Sequence, residues 1–222
     1  MHGWEGICAA FVLESGATKK QSGSQLDVAH DTEHVRRVVQ WAKRICASEG
    51  GRVEIVVPAA YLHDCVTIPK NDARRKEASR LSAEHATRFL QEQGYPGEWL
   101  PGVFHAIEAH SFSANVFPQT LEARVVQDAD RLDAIGAVGL SRCLMLGGAM
   151  NRLLYDASEP FPETRTLDDN AYTIDHFYAK LLRLESTLHT ATAQQEGARR
   201  TRFLRAYLGE LAHEIAGDDS NR

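Results

Sequence analysis

A short apolar run that ends in an adjacent histidine and aspartate decides the fold of this chain: Ala59-Ala60-Tyr61-Leu62-His63-Asp64-Cys65-Val66. Burying an imidazole and a carboxylate together costs free energy unless a partner offsets their polarity. A metal ion would be such a partner, because neutral imidazole and carboxylate are common ligands of divalent transition metals. The run therefore predicts a buried element that ends at the edge of a metal site.

Two further potential ligands, His34 and Asp130, lie in other predicted helices. With His63 and Asp64 they make a set of two imidazoles and two carboxylates. Such a set suits Mn, Fe, Co, Ni or Zn better than Mg, and it leaves coordination positions open for water and a phosphoryl oxygen. A single histidine on a helix is more often a structural group, so the prediction depends on all four residues.

Hydrophobic residues return every three or four positions through almost the whole chain, which is the period of an α-helix. We expect an all-α fold of about eight or nine helices in a single domain. The predicted helices cover residues 32–48, 53–66 (as one short helix or two pieces), 72–93, 101–110, 121–134, 136–146, 170–184 and 186–216. Asp31 and Asp169 are candidate N-caps, and Gly50 and Gly94 are placed to end two of the helices. The proline-containing interval 151–166 predicts an ordered but irregular loop.

Composition and charge narrow the classes of partner. The chain has 222 residues, is 43% hydrophobic and carries a net charge of −5, so it can bury one sizeable core and has no overall attraction to nucleic acid or anionic lipid. Its four cysteines are widely spaced without a CxxC pair, which favours reduced packing residues. No apolar run approaches the roughly 20 residues that span a bilayer. We expect a cytoplasmic protein with no membrane or nucleic-acid partner, and the sequence leaves the oligomeric state open.

Four ordered blocks flank the histidine–aspartate pair. They are residues 30–38 (HDTEHVRRV), 109–113 (AHSFS), 127–136 (QDADRLDAIG) and 175–182 (DHFYAKLL). Together with His63-Asp64 they resemble the HD-domain superfamily of metal-dependent phosphohydrolases, in its small single-domain bacterial subgroup. The resemblance covers about residues 26–217, leaves 1–25 unassigned and leaves 218–222 as a polar tail. It implies the all-helical HD fold.

The resemblance also implies roles for particular residues. His34, His63, Asp64 and Asp130 match the ligands of one divalent transition metal, such as manganese, and Asp128 then has a structural or supporting role. Asp64 is also placed to orient a metal-bound water. The implied reaction is attack of that water on a phosphate ester or anhydride. The implied substrate is a nucleotide, either a monophosphate or a triphosphate that loses pyrophosphate.

His110 and Asp72 are further candidates for catalysis. His110 is expected to contact the substrate phosphate or to donate a proton, although a histidine at a helix C-terminus can also be purely structural. Some related enzymes have a glutamate three residues after the HD aspartate, where this chain has Thr67, so the general base is open. Asp72 is the nearest downstream carboxylate, with a helix N-cap as its alternative role. His105 lies about 140° from His110 around a helix and is left out of the site.

Basic residues near these blocks are candidates for binding substrate phosphate. They are Lys70, Arg75 and Lys180. Cations beside a metal site would neutralise the remaining phosphate charge, but a solvated helix start explains the first two equally well.

Two other readings of the same residues remain. The first is a sensor module that binds a nucleotide or a metal without turnover. The second is an oxygenase with two irons, which would need a larger ligand set with extra histidines after the HD pair.

Overall fold

The computed structural model describes residues 2–21, 32–68, 72–111 and 114–216. Within these ranges the chain forms nine α-helices and no β-strand, which confirms the predicted all-α class. The helices are α1 (His2–Gln21), α2 (Thr32–Glu49), α3 (Val53–Leu62), α4 (Ala78–Glu92), α5 (Leu100–His110), α6 (Leu121–Asp133), α7 (Gly136–Ala149), α8 (Thr173–Ala179) and α9 (Ala191–Ala216). Short 3-10 helices cover Ala73–Glu77, Gly97–Trp99, Leu181–Arg183 and Glu185–Thr187.

The helices group into two compact units. The first unit contains residues 1–130 and 189–193, and the second contains residues 131–188 and 194–222. In the first unit α3 is the central helix, because it packs against α1, α2, α4 and α5. Every residue from Ile55 to Ala60 is buried, so the apolar composition of α3 reflects burial on several sides.

Pro58 lies inside α3 and has no N–H to donate to the carbonyl of Glu54, four residues earlier. Tyr95 supplies the missing donor. Its hydroxyl donates to that carbonyl oxygen at 2.6 Å, and the side chain is buried. The hydroxyl of Tyr95, which follows α4, therefore replaces the backbone donor that α3 lacks at Pro58.

Replacing Tyr95 with Phe is expected to lower the free energy of unfolding by about 1–2 kcal/mol, because the Glu54 carbonyl loses its buried donor. Chemical denaturation followed by circular dichroism measures the change. Tyr155→Phe removes the same oxygen from a half-buried side chain of the second unit and is the matched control. Equal stability of the Tyr95→Phe variant and the wild type would show that the carbonyl is satisfied in another way.

Helix α1 falls in the region that the sequence left unassigned. It packs on the first unit through aromatic rings, with Phe11 4.3 Å from Phe89 and Trp4 4.9 Å from Tyr95, measured between ring centroids. The carboxylate of Glu5 accepts a hydrogen bond from the Tyr61 hydroxyl at 3.1 Å and pairs with Lys43. The N-terminal helix is thus part of the core packing around α3.

Several helix boundaries differ from the prediction. The helix expected over 72–93 begins as the 3-10 segment Ala73–Glu77. Helix α8 begins at Thr173, and Asp169 instead accepts a hydrogen bond from His176, so the predicted cap is wrong. Helix α9 begins at Ala191 rather than 186, because residue 188 is extended and the N–H groups of His189 and Thr190 bind a carboxylate. The other predicted cap, Asp31, lies outside the described residues.

The two glycine stops and the irregular loop are confirmed. Gly50 and Gly94 follow α2 and α4 with φ values of 82° and 81°, a conformation that glycine adopts without steric cost. Residues 151–172 contain no helix and are held by specific contacts, including two 2.6 Å hydrogen bonds from Arg165 to the buried Asp175.

Among the described helices, no single one is both long and apolar enough to cross a membrane. The bent pair α6 and α7 passes that test on length and composition alone.

Candidate metal centre

Five side chains of the first unit meet where four helices end or pass. His34 is on the first turn of α2, His63 follows the last residue of α3, and Asp64 comes next in the chain. His110 is the last residue of α5, and Asp130 lies in α6. The three histidines are buried, whereas 23% of the Asp64 side chain and 30% of the Asp130 side chain are exposed. The cluster therefore opens to solvent on its carboxylate side.

His34, His63 and Asp130 form the first part of the cluster. The Nε2 atoms of His34 and His63 are 3.3 Å apart. Oδ1 of Asp130 is 3.5 Å from Nε2 of His34 and 3.9 Å from Nε2 of His63. Three ligand atoms at these separations could all reach one ion.

Asp64 links this group to His110. One of its oxygens, Oδ2, lies 3.6 Å from Nε2 of His63, and the other, Oδ1, lies 3.4 Å from Nε2 of His110. The rings of His63 and His110 are nearly perpendicular, with centroids 4.9 Å apart. His63, Asp64 and His110 thus form a second triad that shares His63 with the first.

The histidine tautomers test whether the cluster fits a cation. Nδ1 of His63 donates to the carbonyl of Ala60 at 2.9 Å, which leaves Nε2 with a lone pair directed at the cluster. If Nε2 of His34 carries a proton, it can donate a hydrogen bond to only one of its two neighbours, His63 or Asp130. Lone pairs and carboxylate oxygens at 3.3–3.9 Å repel unless a positive charge lies between them, so the residues fit a divalent ion.

The pKa values agree with this fit. Burial lowers the pKa of His63 to about 4, so its ring is neutral at pH 7, as a metal ligand must be. Burial raises the pKa of Asp130, but His63, His34 and His110 outweigh that effect and leave it below its ordinary value.

The pKa of His110 shifts in the opposite direction from that of His63. Burial lowers its pKa, but the hydrogen bond to Asp64 and the charges of Asp64 and Asp130 outweigh burial, and the pKa is raised. Its Nδ1 donates to the carbonyl of Ile107 at 2.6 Å, which orients Nε2 towards Asp64. The structure therefore brings His110 into the cluster, as a proton donor to a carboxylate.

Asp128 lies two residues before Asp130, which is about 200° around α6, so only one of them can face the histidines. The Asp128 side chain is fully buried and accepts hydrogen bonds from the N–H of His189 (3.0 Å), the N–H of Thr190 (2.8 Å) and the Thr190 hydroxyl (2.8 Å). It caps the segment that leads into α9, and its contacts are structural.

Gln127 and His189 are site neighbours that the sequence analysis missed. The buried Gln127 donates to the carbonyl of Ala109 at 2.6 Å, immediately before His110, and its Oε1 lies 2.7 Å from Nε2 of His189. Gln127 thereby joins α5 to α6 beside the cluster. The only signal in the sequence was the position of Gln127 within the 127–136 block, because His189 is 62 residues away along the chain.

The remaining predicted site residues are Asp72, Arg75, Lys180 and Lys70. Asp72 caps the 3-10 helix and pairs with Arg74, and Arg75 donates to the carbonyl of Ile68 at 2.8 Å. Lys180 is exposed at the end of α8 in the second unit, and Lys70 lies outside the described residues. Roles for these four residues in catalysis or substrate binding stay predictions. His105 accepts a hydrogen bond from the N–H of Gln119 and is absent from the two described metal-ligand triads.

A bound ion should stabilise the fold. At about 100 times its Kd, a divalent transition metal is expected to raise the free energy of unfolding by about 2.7 kcal/mol, because the unfolded chain does not hold the ligands together. Thermal melts of chelated protein with added Mn, Co, Ni, Zn or Mg measure this effect. An unchanged Tm with every metal would contradict the site.

Residues 32–135, which include all five cluster residues, match the HD domain family. Bacillus subtilis YpgQ is 34% identical over 212 residues, which are 94% of this chain and 92% of that protein. The crystal structure of Bacillus subtilis YpgQ in complex with ADP has a TM-score of 0.71 at 33% identity, covering 97% of this chain and 100% of that one.

A crystal structure of an HD-superfamily hydrolase from Bacillus thuringiensis has a TM-score of 0.70 at 30% identity, covering 96% of this chain and 98% of that one. Similarity at this level extends over nearly the full length of both chains, and the histidines and aspartates of the cluster lie within the matched domain. The chain therefore belongs to the HD-domain superfamily of hydrolases.

Proposed function

We propose that this chain is a metal-dependent phosphohydrolase that cleaves a phosphate ester or anhydride of a nucleotide. One divalent transition metal would be held by His34, His63, Asp64 and Asp130. The observation that carries the proposal is the convergence of imidazole Nε2 and carboxylate oxygen atoms at 3.3–3.9 Å. A divalent ion in that position supplies positive charge to a phosphoryl oxygen and lowers the pKa of coordinated water.

Asp64 and His110 have different roles in the proposed reaction. Asp64 connects the two parts of the cluster, because one of its oxygens faces His63 and the other faces His110. Either oxygen can accept the proton of a nearby water. His110 holds Asp64 in place through Nε2. Burial lowers the pKa of His110, but the hydrogen bond to Asp64 and the charges of Asp64 and Asp130 outweigh burial and raise it, which favours a proton on Nε2. In a substrate complex His110 would give that hydrogen bond, or the proton itself, to an oxygen of the phosphate or leaving group.

A nucleotide is the proposed substrate class because YpgQ, which matches 97% of this chain, has been crystallised in complex with ADP. The exposed side of the cluster carries carboxylates, so a nucleotide phosphate would need the charge of the bound metal to approach it. The proposal covers a monophosphate that loses phosphate and a triphosphate that loses phosphate or pyrophosphate.

The test is release of phosphate and of pyrophosphate from a panel of nucleoside mono-, di- and triphosphates. Mn, Co, Ni and Mg are added separately to metal-stripped protein, and elemental analysis gives the metal bound per chain. Product that appears only with a transition metal supports the proposal and identifies the bond that breaks.

Bound metal and bound nucleotide without any product would overturn the enzyme proposal and favour the sensor module. Two metal ions per chain would contradict the mononuclear site.

A further inference from the structure

His110 is the last residue of α5, and Ile107, Ala109 and His110 are all buried. The last four carbonyl groups of an α-helix have no hydrogen-bond partner within the helix. Two of these carbonyls in α5 bind side chains. Nδ1 of His110 donates to the carbonyl of Ile107 at 2.6 Å, and Nε2 of Gln127 donates to the carbonyl of Ala109 at 2.6 Å. Gln127 therefore supplies a donor that water supplies at an exposed helix end.

The Gln127 amide is buried and is hydrogen-bonded at both of its polar atoms. Its Oε1 lies 2.7 Å from Nε2 of His189. An amide oxygen is only an acceptor, so Nε2 of His189 carries the proton of this hydrogen bond. The reversed amide would place two acceptors together at Ala109 and two donors together at His189. The contacts therefore fix one orientation of the amide, the one that donates to α5.

Helix α6 also holds His189 by its backbone. The N–H of His189 donates to both carboxylate oxygens of Asp128, at 3.0 Å and 3.1 Å. Asp128 follows Gln127 directly, so two consecutive residues of α6 bind the ring and the backbone of one residue. This double attachment places the His189 ring where it can hold the Gln127 amide.

Gln127 also lies close to a proposed metal ligand on the same helix. Asp130 comes three residues later, which is about five-sixths of a helical turn, so both residues lie on the same side of α6. Oδ1 of Asp130 faces His34 and His63. Gln127 therefore connects the helix that carries Asp130 to the helix end that carries His110.

We propose that Gln127 is a positioning residue for His110, and that His189 fixes the orientation of the Gln127 amide. The hydrogen bond to Ala109 sets the end of α5, so that Nε2 of His110 lies 3.4 Å from Oδ1 of Asp64 and faces the substrate phosphate. Without this bond the last turn of α5 frays and the His110 ring moves. The kinetic part of this inference rests on the proposed phosphohydrolase function. Metal binding should persist, because the four proposed ligands are unchanged.

Gln127→Met keeps the length of the side chain and removes both hydrogen bonds. With the nucleotide that the wild type cleaves fastest, it should lower kcat by about 10- to 100-fold, the size of effect that a small misplacement of a catalytic group produces. KM and metal affinity should stay close to the wild-type values. His189→Phe removes only the donor to Oε1 and should give a smaller loss of kcat. Gln91→Met makes the same change at an exposed glutamine of α4 and is the matched control.

A double-mutant cycle separates positioning of His110 from a general structural role. In a His110→Ala background, Gln127→Met should cause no further loss of kcat, because its effect passes through His110. An equal loss in both backgrounds overturns the proposal, and so does a Gln127→Met enzyme with the wild-type kcat. Thermal melts check that each variant folds. His189→Phe keeps the donor to Ala109, so the same cycle can be measured with it if Gln127→Met does not fold.

NMR of the His110 ring nitrogens tests the geometry without turnover, in the protein loaded with diamagnetic Zn and at constant pH. The His110 signals are assigned by their loss in His110→Ala. They should move in Gln127→Met and stay in place in Gln91→Met. Unchanged His110 signals in Gln127→Met overturn the positioning role. Moved signals in a protein that cleaves no nucleotide would support the positioning role and overturn the proposed function alone.

Discussion

Replacing Asp64 with Ala is expected to lower hydrolytic turnover by about 10³-fold or more. The substitution removes a proposed metal ligand and the acceptor of the His110 hydrogen bond in one step. It also leaves Nε2 of His63 and Nε2 of His110 without the carboxylate that lies between them. Product release at saturating metal and substrate measures turnover, and elemental analysis of the same samples measures metal retention.

Glu98→Ala is the matched control, since Glu98 is an exposed carboxylate of the first unit. It should leave turnover and metal content at the wild-type values. An Asp64→Ala enzyme that keeps its rate would remove Asp64 from the mechanism. A variant that keeps its metal but loses its rate would restrict Asp64 to orienting water or substrate.

The pair Asp130→Asn and Asp128→Asn is expected to separate metal binding from folding. Asp130→Asn should lower metal affinity by at least about 100-fold, because an amide oxygen is a weaker ligand than a carboxylate. Its side chain is 30% exposed, so the fold should remain intact. Asp128→Asn should keep the metal and lower the free energy of unfolding by about 2 kcal/mol, because an amide group would face the buried N–H donors of His189 and Thr190.

Metal affinity by calorimetry and stability by denaturant titration, measured on both variants, test this separation. The reverse order, with metal lost from Asp128→Asn and stability lost from Asp130→Asn, would exchange the roles of the two aspartates. Loss of both properties in both variants would mean that the cap on α9 and the metal centre are coupled through α6.

The parts of the fold that follow a local pattern were predictable. The helix α2 has a continuous apolar stripe and a glycine stop, and its described bounds differ from the prediction by one residue. The ends of α8 and α9 were not predictable in this way. The sequence pattern predicted a helix from residue 186, but distant carboxylates accept hydrogen bonds from the backbone of this segment. Asp128 accepts from the N–H groups of His189 and Thr190, and Glu49 accepts from the N–H of Thr192. A local sequence pattern cannot predict a hydrogen-bond acceptor that lies 62 or 143 residues away along the chain.

For the candidate site, the order of blocks along the chain was enough to name His34, His63, Asp64 and Asp130, and the structure brings their side chains together. It was also enough to nominate His110, which the structure places against Asp64. The chain pattern did not single out Gln127 and His189, because their contacts depend on how α6 and the start of α9 meet.

The sequence by itself determined the helical class, the membership of the HD superfamily and the residue types that could hold a metal, because these depend on periodicity and on an ordered set of motifs. Only the tertiary structure decided which ring nitrogen of His63 and of His110 faces the cluster, which backbone N–H groups the Asp128 carboxylate accepts, and that the Tyr95 hydroxyl donates to the carbonyl left without a donor by Pro58. The reason is physical. Each of these outcomes depends on a hydrogen bond whose partner is fixed by packing in three dimensions, so it exists only once the helices have come together.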